Sequence, residues 1–293
     1  CGWRSHCGDE WERVDHLSRV ANIRRDQVDK LEAAGIRTLA QLARMEGTAK
    51  GIGAEVLDRL KRQAALQHQP LDAEGRLRIE RLPLRDDKPR GFQLLPEPDA
   101  GDLYFDMEGF PHEPGGLEYL FGVGYLEGGD ARRFRFKAFW AHDREQEKQA
   151  FEAFMDFVAQ WLALHPRAHI YHYAAYEQTA IKRLSSVHDT RTELRDRLLR
   201  EGRLVDLYRV VTSGLLLALP GYSIKRVEAY YRGRRQGEVS NAGDSIVQYE
   251  AYRVATDPDA RKKLLASIEA YNHDDVESTW LLHRWLQALR PPQ

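Results

Sequence analysis

The sequence predicts an α/β fold, a mixed sheet flanked by helices, preceded by a small all-α module. Three observations carry this reading. Between residues 102 and 140, apolar runs bounded by Gly and Pro include stretches that alternate at a period of two, the pattern of strands. From 144 to 164 apolar residues recur at three- and four-residue spacing, the pattern of a helix with one buried face. Residues 14–69 show the helical period alone.

Composition bounds the rest. A chain of 293 residues, 42% hydrophobic and 30% charged, can bury a substantial core and exceeds one typical domain, so one large and one small domain are expected. A formal net charge of -1 leaves the overall field nearly neutral. A polyanion must then be held by a local patch or through metal ions. The longest apolar run, Leu215 to Leu219, stops at Pro220, well short of a membrane span. No signal-peptide pattern is present, and a cytoplasmic protein with no membrane partner is expected.

Taken in order, residues 1–13 hold both cysteines, Cys1 and Cys7, with His6 beside the second. Such a group is half of a metal or iron–sulfur ligand set, and equally fits two reduced thiols on a frayed terminus. The Cys start reads as a chain cut from a longer one, whose upstream part would supply any further ligands. Residues 14–69 form the helical module, with Leu17, Val20, Val28 and Leu31, then Leu39 and Leu42, then Leu57 and Leu60 in register. Its segment Leu31 to Leu39, turning at Gly35, resembles helix-hairpin-helix modules, in which a Gly-containing turn offers backbone N–H groups to a DNA phosphate. A packing module without DNA contact is the alternative.

Residues 70–101, with five prolines, read as a linker or an irregular lead-in strand. Six basic residues between Arg76 and Arg90 face three acidic ones, a solvated surface by default and a phosphate-tracking strip as the minority view. The domain proper spans 102–290. Strands are expected at Asp102–Met107, Tyr119–Leu126 and Arg133–Trp140, with Gly109–Gly116 as the first turn. A helix from Arg144 to Leu164 buries Phe151, Phe154, Phe157, Val158, Trp161 and Leu162. A strand at Ala168–Tyr173 and helices at 176–186 and 190–200 follow. Gly122-Val123-Gly124 lacks a phosphate-loop context and reads as sheet packing. Three strands, a helix, a strand and more helices is the order of a ribonuclease H-like domain.

The chemistry concentrates in two places. Asp106 and Glu108, at i and i+2 of an apolar strand, point to one face, which suits a hydrated divalent cation. Tyr271 and Asp275, four apart on a helix, share a side, so the phenol can reach the water or phosphate that such a cation holds. Asp274 is an alternative to Asp275 with a poorer spacing. Asp206 reads as a brace for the site or as a helix N-cap. Lys225 and Arg226 read as solvated or as phosphate contacts, and His273 as a weak candidate for proton transfer.

Asp106-x-Glu108, the segment His172 to Glu177 and Tyr271-x-x-x-Asp275 resemble the three motifs of the DEDD exonucleases, in the variant with Tyr in the third. More narrowly, Tyr222 to Glu228 and Tyr271 to Val276 resemble the YprB-like ribonuclease H-like domain. Such domains lie at the C-terminal end of RecB-like nucleases, sometimes ahead of a helicase, after a Cys-ligated nuclease module and a helix-hairpin-helix region. The resemblance implies two Mg²⁺ or Mn²⁺ ions held by Asp106, Glu108, Glu177 and Asp275, with Tyr271 orienting the attacking water. It implies an iron–sulfur cluster only in a longer parent protein. One departure stands out: Glu177 and His172 occupy places that usually hold Asp and Asn. The expected function is a 3′→5′ exonuclease on single strands, DNA ahead of RNA. The alternatives are a non-catalytic nucleic-acid-binding domain and an endonuclease on structured substrates.

Overall fold

The computed structural model describes residues 3–84, 87–232 and 242–291. In chain order the elements begin with helices α1 (Arg4–Arg13), α2 (Arg25–Ala33), α3 (Leu39–Ala43) and α4 (Ala54–His68) and the short strand β1 (Ile79–Arg81). Strands β2 (Leu103–Phe110), β3 (Leu117–Leu126) and β4 (Phe134–Trp140) follow, then α5 (Arg144–Leu164), β5 (Ile170–His172), α6 (Tyr176–Val187) and α7 (Thr192–Arg200). The chain continues with β6 (Leu204–Asp206), α8 (Leu207–Gly214), β7 (Leu215–Leu217), α9 (Ile224–Val227), α10 (Ala242–Val254) and α11 (Pro258–Leu289). Two compact units result: one takes the residues up to Gly91 with Val210–Tyr230, the other Phe92–Arg209 with the residues from Tyr231 onward. No helix among the described residues is long and apolar enough to cross a membrane.

In the first unit the turn at Leu17–Arg19 and helices α2, α3 and α4 bury Leu17, Leu31, Leu42, Leu57 and Ala64 together, at the spacing the sequence shows. The chain leaves α2 through Gly35, whose φ of +84° is a left-handed conformation that glycine adopts without strain. Thr38 then caps α3 by accepting the Gln41 N–H. Within the stretch read as linker, β1 pairs antiparallel with β7. Buried Gln63 of α4 donates to the Leu217 carbonyl at 2.8 Å and accepts the Tyr222 hydroxyl at 2.8 Å, so its amide is satisfied at both ends.

The second unit is built on a five-stranded sheet of order β4-β3-β2-β5-β6, antiparallel on the β4-β3-β2 side and parallel on the β2-β5-β6 side. This is the predicted mixed sheet. Strand β2, in its centre, shows why the site lies where it does. Its odd-numbered residues Leu103, Phe105 and Met107 enter the core under α5, where the Phe105 and Phe154 rings stack at 4.4 Å. Its even-numbered residues Tyr104, Asp106 and Glu108 therefore point to the opposite face, across which α11 runs. Asp257 caps α11 by accepting the Ala260 N–H at 3.0 Å, and Pro258 opens its first turn.

Two glycines let α11 approach the sheet. A Cβ on Gly122 would collide with the side-chain oxygen of Asn272, and one on Gly124 with Phe134 and Val276. The packing role of Gly122 and Gly124 is thus to admit a helix. Several boundaries differ from expectation: β5 is shorter than Ala168–Tyr173, β3 begins at Leu117 rather than Tyr119, and β2 continues past Met107 to Phe110. A register shift between Glu108 and Gly109 lets Gly109 and Phe110 go on pairing, with Glu118 and Leu117, so the turn begins only after Phe110.

Candidate metal centre

Asp106, Glu108 and Asp275 come together: one carboxylate oxygen from each lies within 4.8 Å of the others. Two come from one strand face and the third from the helix crossing it. Glu108 and Asp275 are buried and Asp106 is half-buried. Three acids this close repel one another, a cost that a bound cation offsets. The donor set is oxygen alone, the set that hard divalent cations such as Mg²⁺ or Mn²⁺ prefer. The residues present fit such an ion.

Neutral groups hold the acids in place. Asn272 Nδ2 donates to Asp106 Oδ2 at 2.7 Å; because a carboxylate only accepts, this bond sets the amide orientation and turns Asn272 Oδ1 toward Gly122. Ser245 of α10 donates to Glu108 Oε2 at 2.9 Å. Neither residue has a local sequence signal of this contact, although Asn272 stands inside the motif and the Gly-x-Gly of β3 marks a close approach there.

Tyr271 is buried among the same acids. Burial first, then the nearby Asp275, Glu108 and Asp106 charges and a hydrogen bond to Asp275, raise its phenol well above the ordinary value. The phenol therefore keeps its proton at neutral pH. Asp274 points elsewhere. Its carboxylate and its carbonyl both accept from Arg232, which separates it from Asp275. His273 sits edge-on to Phe134 and Phe136 at 5.9 and 4.9 Å, a packing contact on β4.

Glu177 is not one of the three converging acids. It lies in the first turn of α6, buried, and lines with Glu108 a pocket of about 500 Å³ bounded by Met107, Phe110, Leu117 and Tyr176. Its Oε2 has no hydrogen-bond partner, and burial pushes its carboxyl above the usual range against the pull of His172. His172 Nδ1 is 3.4 Å from that oxygen but bonds the Ala174 carbonyl at 2.7 Å. Asp206 Oδ1 takes the Ala174 N–H at 2.9 Å and the Tyr208 N–H at 2.9 Å. It thus braces the turn before α6 and also meets the start of α8. Ala174, held at both ends of its backbone, has a φ of +76°. That strained turn delivers Tyr176 and Glu177.

Lys225 lies in α9 of the first unit, outside the unit that carries the acids. Cys7 is a half-buried free thiol in α1, and Cys1 lies outside the described residues.

A family model of the RNase H superfamily matches residues 103–287, more than half of the chain. The chain belongs to the RNase H superfamily. No curated protein and no solved structure matches it significantly. Members of this superfamily are in general phosphodiester hydrolases that act on nucleic acid with divalent metal ions, and the Asp106, Glu108 and Asp275 group fits a site of that kind.

Proposed function

We propose that this RNase H superfamily member is a 3′→5′ exonuclease on single-stranded DNA or RNA, of the DEDD type with Tyr in the third motif and of the YprB-like subgroup. The observation that carries the reading is the meeting of Asp106 and Glu108 from β2 with Asp275 from α11, and with the buried Tyr271 phenol among them. Asp106, Glu108 and Asp275 would hold the first ion, and Glu177 would complete the set for a second. Divalent cations bound there would stabilise the charge on the attacking and leaving oxygens of the phosphodiester. Tyr271, kept protonated, donates a hydrogen bond and orients what lies before the acids. Asn272 fixes Asp106, and α11 with β3 shuts water out from behind the site. The helical module would contribute backbone contacts to DNA phosphates, and a fused or associated RecB-like nuclease or helicase is the proposed context.

A second reading, a non-catalytic nucleic-acid-binding domain, is favoured by one feature: Glu177 stands apart from the other three acids. Activity decides between them. Asp106→Asn keeps an acceptor for Asn272 while removing the charge, so it should abolish Mg²⁺- or Mn²⁺-dependent release of mononucleotides from a labelled single strand and leave thermal stability equal or slightly raised. Undiminished release by this variant, in a preparation free of contaminating nuclease, would remove the assigned site. Cleavage of a circular single strand would instead identify an endonuclease.

A further inference from the structure

We propose that Ser245, backed by Tyr119, is a positioning residue that fixes the Glu108 carboxylate for a divalent cation; this rests on the metal site proposed above. Ser245 and Tyr119 are both fully buried, and they form a chain: Ser245 Oγ to Glu108 Oε2 at 2.9 Å, and Tyr119 Oη to Ser245 Oγ at 2.5 Å. An ionised carboxylate only accepts, so the one Ser245 proton goes to Glu108. Tyr119 must then donate to Ser245, and the relay has a fixed direction.

The relay is anchored by more than its hydrogen bonds. Tyr249 follows Ser245 by one turn of α10, and its ring stacks on that of Tyr119 at 3.8 Å and 5°. α10 therefore grips β3 through a ring and β2 through a hydroxyl. Glu108 needs such a hold because β2 changes register immediately after it, where the strand no longer dictates side-chain direction as regular pairing does. The Ser245 hydrogen bond selects one direction of the Glu108 carboxylate before a cation binds, which leaves less ordering to the cation itself.

The test is Mn²⁺ binding by isothermal calorimetry to the whole chain, without nucleic acid. Ser245→Ala should weaken Mn²⁺ affinity by about tenfold or more, the usual effect of removing a group that holds a metal ligand. Tyr119→Phe keeps the stacked ring and removes only the hydroxyl. It should weaken binding less, and the double variant should be no worse than Ser245→Ala, because the two act in series. If Ser245→Ala does not fold, Tyr119→Phe alone decides, with a several-fold loss expected and wild-type affinity overturning the relay. Wild-type affinity in Ser245→Ala, or fully additive losses in the double variant, would also overturn it. Absence of Mn²⁺ binding by the unaltered chain would instead overturn the metal site itself, and this inference with it.

Discussion

Glu177 sits in the first turn of α6 with a buried carboxylate oxygen that has the His172 ring 3.4 Å away but no hydrogen bond, an arrangement that costs stability unless something offsets it. If that something is a cation, Glu177→Asp should preserve or raise nuclease activity. Glu177→Gln, equal in size but uncharged, should lower it by at least about tenfold, or about 1.4 kcal/mol of transition-state stabilisation. Mn²⁺, with its tolerance for irregular geometry, should narrow the difference between Glu and Asp. Equal rates for the unaltered protein and Glu177→Gln in both metals would take Glu177 out of the ligand set. At this scale the sequence was legible where spacing is local: Asp106 and Glu108 by i and i+2, Tyr271 and Asp275 by i and i+4. Asn272 and Ser245 were not, because the acids they hold lie 166 and 137 residues away along the chain.

Among the elements, the contact of α11 with β3 determines whether the acids meet. Gly122→Ala places a methyl against Asn272 and Phe136, so the helix must shift or the amide must leave Asp106. Overpacking of this kind costs about 1–3 kcal/mol. Urea denaturation should show a lower midpoint with an unchanged slope, and Mn²⁺ binding should weaken as Asp106 loses its partner. A variant as stable as the unaltered protein would mean that α11 does not press on β3 as described. Helix α5 matches its expected bounds, Arg144 to Leu164, because its cap at Asp143 and its apolar period are local signals. The end of β2 does not, since its last two residues stay in the strand only by pairing with β3 after a register shift.

For the molecule as a whole, acid should reveal Asp102. Burial pushes this carboxyl from its ordinary value of 3.8 up to about 6, against backbone hydrogen bonds from Asp99 and His169 that favour the charged form. A group that binds its proton more tightly when folded contributes stability that is fully present below about pH 3.8 and lost as pH rises through about 6. The shift corresponds to something on the order of 3 kcal/mol. Thermal melts between pH 4 and 6.5 should therefore show a component that falls with rising pH, and Asp102→Asn should remove it whatever that variant's own stability. Parallel pH profiles for the two proteins would show that Asp102 titrates normally in the folded chain.

The sequence by itself determined the fold class, the central strand and the acids at its end, because strand and helix periods and i, i+2 and i, i+4 spacings are written in neighbouring residues. It also ranked Asp275 above Asp274, from its spacing to Tyr271. Only the tertiary structure decided what those acids meet. It brought Asp275 to Asp106 and Glu108, gave Asp274 to Arg232, set Glu177 in a pocket with Glu108 but outside the trio, and returned Val210–Tyr230 to the first unit. The physical reason is chain separation. A side chain's face follows from its local period, whereas its partner depends on which distant helix the small residues of the sheet allow to come close.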